Sequence, residues 1–86
     1  MSDRISDTRL LEIFQTRTCT GLPADLCHRA YGATRRLLAA RDWSDILVPV
    51  AQLPDGRFAI LAYGKWVIVF VWVPGQGARE LALQRV

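Results

Sequence analysis

The segment from Trp66 to Val73 limits what this chain can fold into more than any other stretch. Every position in it is apolar, and two kinds of side chain alternate. In a strand expected over Lys65–Val73, Trp66, Ile68, Phe70 and Trp72 fall on one side, and Val67, Val69, Val71 and Val73 on the other. The run is far below the ~20 residues needed for a membrane helix. A strand apolar on both faces belongs inside a sheet. Gly64 just before it predicts a tight hairpin with a second strand over Arg57–Tyr63.

The rest of the chain is organised around that hairpin. Pro54-Asp55-Gly56 and Pro74-Gly75-Gln76-Gly77 are turn signals, which predict strands over Ile46–Val50 and Ala78–Arg85. A short extra strand is expected near Arg4 and Ile5. Before Asp42 the period is helical. Leu10, Leu11 and Phe14 make an apolar stripe over Asp7–Gln15, which Asp7 or Ser6 can cap. Thr16–Gly21 reads as a loop. Pro23 sits in the first turn of a second helix, where its missing N–H costs nothing, and that helix runs to about Ala40. Leu26, Ala30, Leu37 and Leu38, with Tyr31 and Thr34, form its buried stripe. Arg29, Arg35 and Arg36 lie outside it. The expected architecture is a single α+β domain over residues 1–86, with two N-terminal helices on one face of a mainly antiparallel sheet.

Composition narrows function only a little. With 86 residues and 51% hydrophobic side chains, the chain can build one modest core and is too apolar for disorder. Its net charge of +3 is compatible with nucleic acid without requiring it. Lys65 is the sole lysine, so the basic side chains are almost all arginine, which suits phosphate, carboxylate and interface contacts. The start, Met1-Ser2-Asp3-Arg4, lacks a signal-peptide pattern, so the cytoplasm is the expected compartment and Cys19 and Cys27 are expected as free thiols. Two cysteines and the single histidine, His28, assemble no metal-ligand set of known spacing. No cofactor is implied and no membrane partner is expected. His28 has no acid or nucleophile beside it in the sequence and reads as structural. Cys27 reads as a small core hydrophobe, and Trp43 as a packing cap.

Three stretches in register resemble the HigB, or plasmid maintenance killer, branch of the RelE/ParE superfamily of bacterial toxins. Ile13-Phe14-Gln15-Thr16 leading to Gly21-Leu22-Pro23 is similar to that family's Phe-Phe-Glu-Thr to Gly-Ile-Pro segment. Arg35-Arg36-Leu37 through Asp45 resembles its basic second helix and the turn after it. Gly56-Arg57-Phe58-Ala59-Ile60, then Gly64-Lys65-Trp66-Val67-Ile68-Val69-Phe70, resembles its Gly-x-Trp-Ser-Ile and Gly-Asn-Trp-Arg-Ile-x-Phe hairpin. No gap is needed from Ile5 to Val73.

The resemblance implies a growth inhibitor of a type II toxin–antitoxin system whose ancestral target is the translating ribosome and its mRNA. It also implies that the chemistry has been removed. The family's Leu-His-Pro-Leu-Lys-Gly segment falls on Leu47-Val48-Pro49-Val50-Ala51-Gln52. Val48 therefore stands at the His position, Ala51 at the Lys position and Val67 at the hairpin Arg position, and the chain ends Gln84-Arg85-Val86 where the family has Asp-Tyr-His. Cleavage through a 2′-oxygen needs a proton acceptor and groups at the phosphate and the leaving oxygen. Val and Ala supply none of these. Arg57, Lys65 and Arg85 are the available substitutes. Arg29, Arg35 and Arg36 are the side chains the resemblance directs at ribosomal RNA phosphates; the alternative is an ordinary solvated helix face.

With helices covering one face of the hairpin, the row of valines is left on the other, the former RNA face. A tight turn at Gly64 places Phe58 and Ile60 beside Val67, Val69 and Val71, and those five residues are the expected protein interface. Its expected partner is an antitoxin, a second copy or a host complex. The alternatives are a retained nucleic-acid site, or coverage of the valines by the C-terminal strand, a loop or the N-terminus. The rival to the toxin reading is a catalytically inactive RelE-fold binding protein: a phage-encoded inhibitor, a ParE-like inhibitor or an antitoxin decoy.

Overall fold

A computed structural model describes residues 4–18, 21–46 and 48–86. Two helices, α1 (Thr8–Thr16) and α2 (Ala24–Ala39), precede a short 3-10 turn at Trp43–Asp45 and four strands: β1 (Ala51–Gln52), β2 (Phe58–Tyr63), β3 (Trp66–Val73) and β4 (Gly77–Arg85). The strands form one antiparallel meander in the order β1-β2-β3-β4, and both helices pack on one of its faces. This is the expected α+β class.

Each helix has an identifiable start and stop. The Asp7 carboxylate accepts the Arg9 N–H at 3.1 Å and caps α1. Arg17, left-handed at φ 59°, ends that helix by donating its N–H to the Ile13 carbonyl at 2.8 Å. The buried residues of α1 are Leu10 and Ile13, with Leu11 and Phe14 only half-buried, so the stripe sits one residue off the expected one. Pro23 is the N-cap of α2, just before the first turn. Leu26, Cys27, Ala30, Thr34 and Leu37 face the sheet. The Thr34 hydroxyl is buried there and has no hydrogen-bond partner.

The expected strand over Ile46–Val50 is replaced by two-residue β1, further along. Pro49 has no N–H to give a ladder. Ile46 instead ends the 3-10 turn, donating to the Trp43 carbonyl, and is buried in the core. Leu47 falls outside the described residues.

Two β-bulges decide which side chains reach that core. Tyr63 pairs with Trp66 across the turn, but the register shifts between Leu61 and Tyr63, so Ile60 pairs with Ile68 and Phe58 with Phe70. One extra residue in a strand reverses the facing of everything beyond it. Phe58 and Ile60 therefore lie on the helix side with Ile68 and Phe70. A second shift, between Val69 and Val71, leaves Glu80 at φ 55° on β4. It puts Arg79 opposite Val71, while Arg85 lies opposite Trp66, so the two arginines point to opposite faces of the sheet.

The outer edge of β4 is sealed by the N-terminal segment. Ile5 bridges Leu81 in parallel. The Leu81 N–H donates to the Arg4 carbonyl and the Ser6 N–H to the Leu81 carbonyl, each at 2.9 Å. Side chains complete the seal. The Arg4 guanidinium donates twice to the Ala78 carbonyl, at 2.9 and 2.7 Å, and once to the Leu38 carbonyl near the end of α2. The other Asp7 carboxylate oxygen accepts the Leu83 N–H at 3.0 Å. Edges left open invite another strand, and this one is closed over most of its length.

Candidate functional site

Of the three positions that hold His, Lys and Arg in the resembled family, two lie near Leu61 by strand register, and the third, Val48, packs against the core and borders a groove with Leu61. Leu61 of β2 stands opposite Val67 and two residues along from Ala59, the partner of Ala51. Val48 lines the same groove as Leu61. Leu61 itself is 67% exposed. Around it are aliphatic side chains where the resemblance implies an acid–base and phosphate-binding set. None of them can move a proton or hold an anion.

The possible substitutes do not meet there. Lys65 and Arg85 share one end of the sheet: Arg85 pairs with Trp66, and the Val86 N–H donates to the Lys65 carbonyl at 2.7 Å. Arg57 lies beyond the other end of β2, about 20 Å away by strand rise. It is held by Asp55, whose carboxylate accepts both its backbone N–H and its Nε at 3.0 Å. Those bonds from Arg57, first the backbone N–H and then the guanidinium, hold the Asp55 carboxyl below the usual aspartate range.

The basic residues of α2 divide between two places. Arg29 and Arg36, with His28, border a groove of about 440 Å³ whose opposite wall is Val48, Leu61 and Ala62. Arg29 also stacks over the Tyr63 ring at 5.9 Å. Arg35 turns to Tyr31, which it shares with Arg17, at 5.8 and 4.6 Å, and the Arg17 guanidinium donates to the Tyr31 hydroxyl at 3.0 Å. The ion pairs among the described residues are Arg9–Asp7 and Arg57–Asp55. No described carboxylate thus pairs with Arg29, Arg35 or Arg36. Sequence reasoning missed Arg17 and gave His28 no site role; the i, i+4 spacing of Tyr31 and Arg35 was the one available signal for the stacked cluster.

The expected protein interface needs correction. Ile60 is 2% exposed and belongs to the core, and Phe58 packs edge-on against Trp43 with centroids 4.8 Å apart. The bulge after Leu61 is the reason for both. Val69 is on the valine face but only 1% exposed, so it is already buried within the chain, between Ala59 and Ala82 of the flanking strands. Val67 and Val71 remain half-buried. The exposed apolar residue of this face is Leu61, which the sequence reading did not single out. Trp43, 39% exposed, closes an aromatic cluster with Phe58 and Trp72, as a packing cap does.

Cys27 is disulfide-bonded, against the expectation of a free thiol. Cys19, the other cysteine, lies outside the described residues. Among the described residues no three His, Cys, Asp or Glu side chains gather, and no helix is long and apolar enough to cross a membrane. Comparison with protein-family models finds no match, and comparison with curated proteins finds none.

Proposed function

We propose that this chain is a RelE/HigB-like toxin-fold protein of a toxin–antitoxin system that restrains growth by binding, with its ribonuclease activity lost. The observation that carries the reading is the set of aliphatic side chains at the positions the resemblance implies for catalysis. Val48, Ala51 and Val67 stand at the positions implied for catalysis, and every one of them is inert. Losing one phosphate or oxyanion contact costs roughly 10²–10³ in rate, so losing the set leaves little cleavage. Arg57 is too far from Lys65 and Arg85 for the three to rebuild one site. The ancestral partner, the ribosome with its mRNA, would be met by Arg29, Arg35 and Arg36, which form no ion pair with a described carboxylate. The proposed compartment is the cytoplasm, where thiol pools would reduce the Cys27 disulfide.

The test is inducible expression in a bacterial host, with growth and mRNA integrity followed together. The expected result is slowed growth with intact mRNA, relieved by Arg29→Ala combined with Arg36→Ala. Robust codon-dependent cutting in a ribosome-programmed assay, abolished by Arg57→Ala or Lys65→Ala, would overturn it. The exposure of Leu61 favours a second reading, a catalytically inactive binding protein that acts on a host complex or captures an antitoxin. Antitoxin capture predicts no growth effect from the chain alone, whereas action on a host complex predicts slowed growth that Arg29→Ala with Arg36→Ala does not relieve.

A further inference from the structure

The helix pair gathers two arginines on one tyrosine. Arg17, at the end of α1, stacks over the Tyr31 ring at 4.6 Å, and Arg35 of α2 at 5.8 Å. Phe14 supports the same ring from α1, with centroids 6.0 Å apart. One arginine stacked on an exposed aromatic ring is an ordinary surface contact. A second brings like charge to that ring, and neither guanidinium forms an ion pair with a described carboxylate. Arg17 is also held in place. It occupies, at φ 59°, the left-handed position that glycine or asparagine normally fills at a helix end. The turn is pinned on both sides of it. Its own N–H donates to the Ile13 carbonyl, while Thr16 Oγ1 donates to the Glu12 carbonyl at 2.8 Å and accepts the Thr18 N–H at 3.3 Å.

We infer that Arg17, Tyr31 and Arg35 form a binding site for a phosphate monoester. Donor chemistry selects this class. The Tyr31 oxygen already accepts from the Arg17 guanidinium at 3.0 Å, so its proton is left to donate. Guanidinium groups have no acceptor. The cluster therefore offers donors from three side chains and is matched by an anion with three acceptor oxygens. A carboxylate has two, and a terminal phosphate has three. Charge makes the same choice. A phosphate monoester is a dianion above its second pKa of about 6 and balances two guanidiniums, whereas each phosphodiester of a nucleic-acid backbone carries a single charge. The inference goes beyond the growth-inhibitor reading and stands apart from it, since the arginines tested there are Arg29 and Arg36. The monoester has two possible sources, a small phosphate ester or the phosphorylated end of a nucleic-acid strand.

The experiment titrates the whole chain with glycerol phosphate, dimethyl phosphate or acetate at constant ionic strength. Binding is read by NMR at the arginine side-chain N–H groups and the Tyr31 ring, and circular dichroism checks the fold of each variant. The expected result is saturable shifts at Arg17, Tyr31 and Arg35 with glycerol phosphate alone. Affinity should rise as pH passes upward through about 6, where the ligand loses its second proton. Arg17→Gly, which keeps the left-handed turn, and Arg35→Ala should each weaken binding roughly tenfold, and Tyr31→Phe by a smaller factor. A 5′-phosphorylated RNA tetramer separates the sources: tighter binding than glycerol phosphate at the cluster identifies a strand end, and binding no tighter identifies a small ester. Equal shifts with dimethyl phosphate or acetate, shifts spread evenly over Arg29 and Arg36, or binding unchanged in both arginine variants would mean an adventitious ion only and overturn the inference. So would a failure to saturate by roughly 10 mM ligand, or a 5′-hydroxyl tetramer that binds the cluster as tightly as the phosphorylated one.

Discussion

Asp7 does two jobs with one carboxylate, and separating them tests how the sheet is held. One oxygen caps α1 at the Arg9 N–H and the other accepts the N–H of Leu83 from the edge of β4. Asp7→Ala removes both. The lost cap costs about 1 kcal/mol, and a part-buried N–H left without a partner about 1–3 kcal/mol, so the sum is roughly 2–4 kcal/mol. For a small domain that is a large share of total stability. Asp7→Asn separates the terms. Asparagine is an equally good N-cap, but its single carbonyl oxygen serves only one N–H, and its NH₂ meets the other donor with a donor. It should therefore keep the cap and lose the edge contact, at a cost of about 1–3 kcal/mol. The assay is urea unfolding followed by the fluorescence of the tryptophans, with an unchanged m-value required for each variant. Exchange at the Leu83 amide reports the edge directly. If Asp7→Asn stays within about 0.5 kcal/mol of wild type and Leu83 remains protected, the side-chain seal is not what holds this edge.

Four other outcomes are expected. Gly77 sits at φ +87°, and a Cβ there would lie 3.0 Å from the Ala40 carbonyl and 3.3 Å from the Arg4 guanidinium; Gly77→Ala should lower stability by more than the ~1–2 kcal/mol of the backbone term alone, read from its urea midpoint. Thr34→Val removes a buried hydroxyl with no partner and should raise stability by about 1 kcal/mol; a loss would show that the hydroxyl is satisfied. Val69→Lys should unfold the domain, whereas Leu61→Lys should change stability by no more than about 0.5 kcal/mol, so that circular dichroism separates the covered part of the valine face from the open part. Asp55 is held ionised in the fold, so its contribution to the Leu53–Arg57 turn is present at neutral pH and is lost as pH falls through its lowered folded value; a carboxyl titration followed by NMR should have its midpoint below that of an ordinary aspartate.

Sequence periodicity located the elements because each signal was local. Asp7 before an apolar stripe, Pro23 before a helix, and Gly64 and Pro74 between apolar runs each act within a few residues, and the observed bounds of both helices and of β2, β3 and β4 lie within one residue of those expected. Facing was harder to read. A turn at Gly64 does put Phe58 and Ile60 with the valines in an unbroken ladder, and the pairing of Tyr63 with Trp66 starts that way. The bulge then reverses the count, and nothing in Leu61-Ala62-Tyr63 announces it. The expectation of a free Cys27 thiol rests on compartment, and the bond is at odds with it. The inert positions Val48, Ala51 and Val67 could be named only through a resemblance, and the nearness of Ala51 and Val67 to Leu61 needed the strand register.

The seal on β4 also sets an order of events. Arg4, Ser6, Asp7 and Arg9 bond to residues 74 to 76 positions further along the chain. During synthesis these groups have emerged long before Ala78, Leu81 and Leu83 exist to receive them. The α1–α2 pair and the β2–β3 hairpin are local by comparison and can form earlier, since closing a long loop is entropically costlier than closing a short one. A nascent chain halted after β3 would thus carry a raw strand edge on its central, doubly apolar segment and a loose N-terminus with no strand to bind. Its most aggregation-prone interval is the synthesis of the final turn and β4.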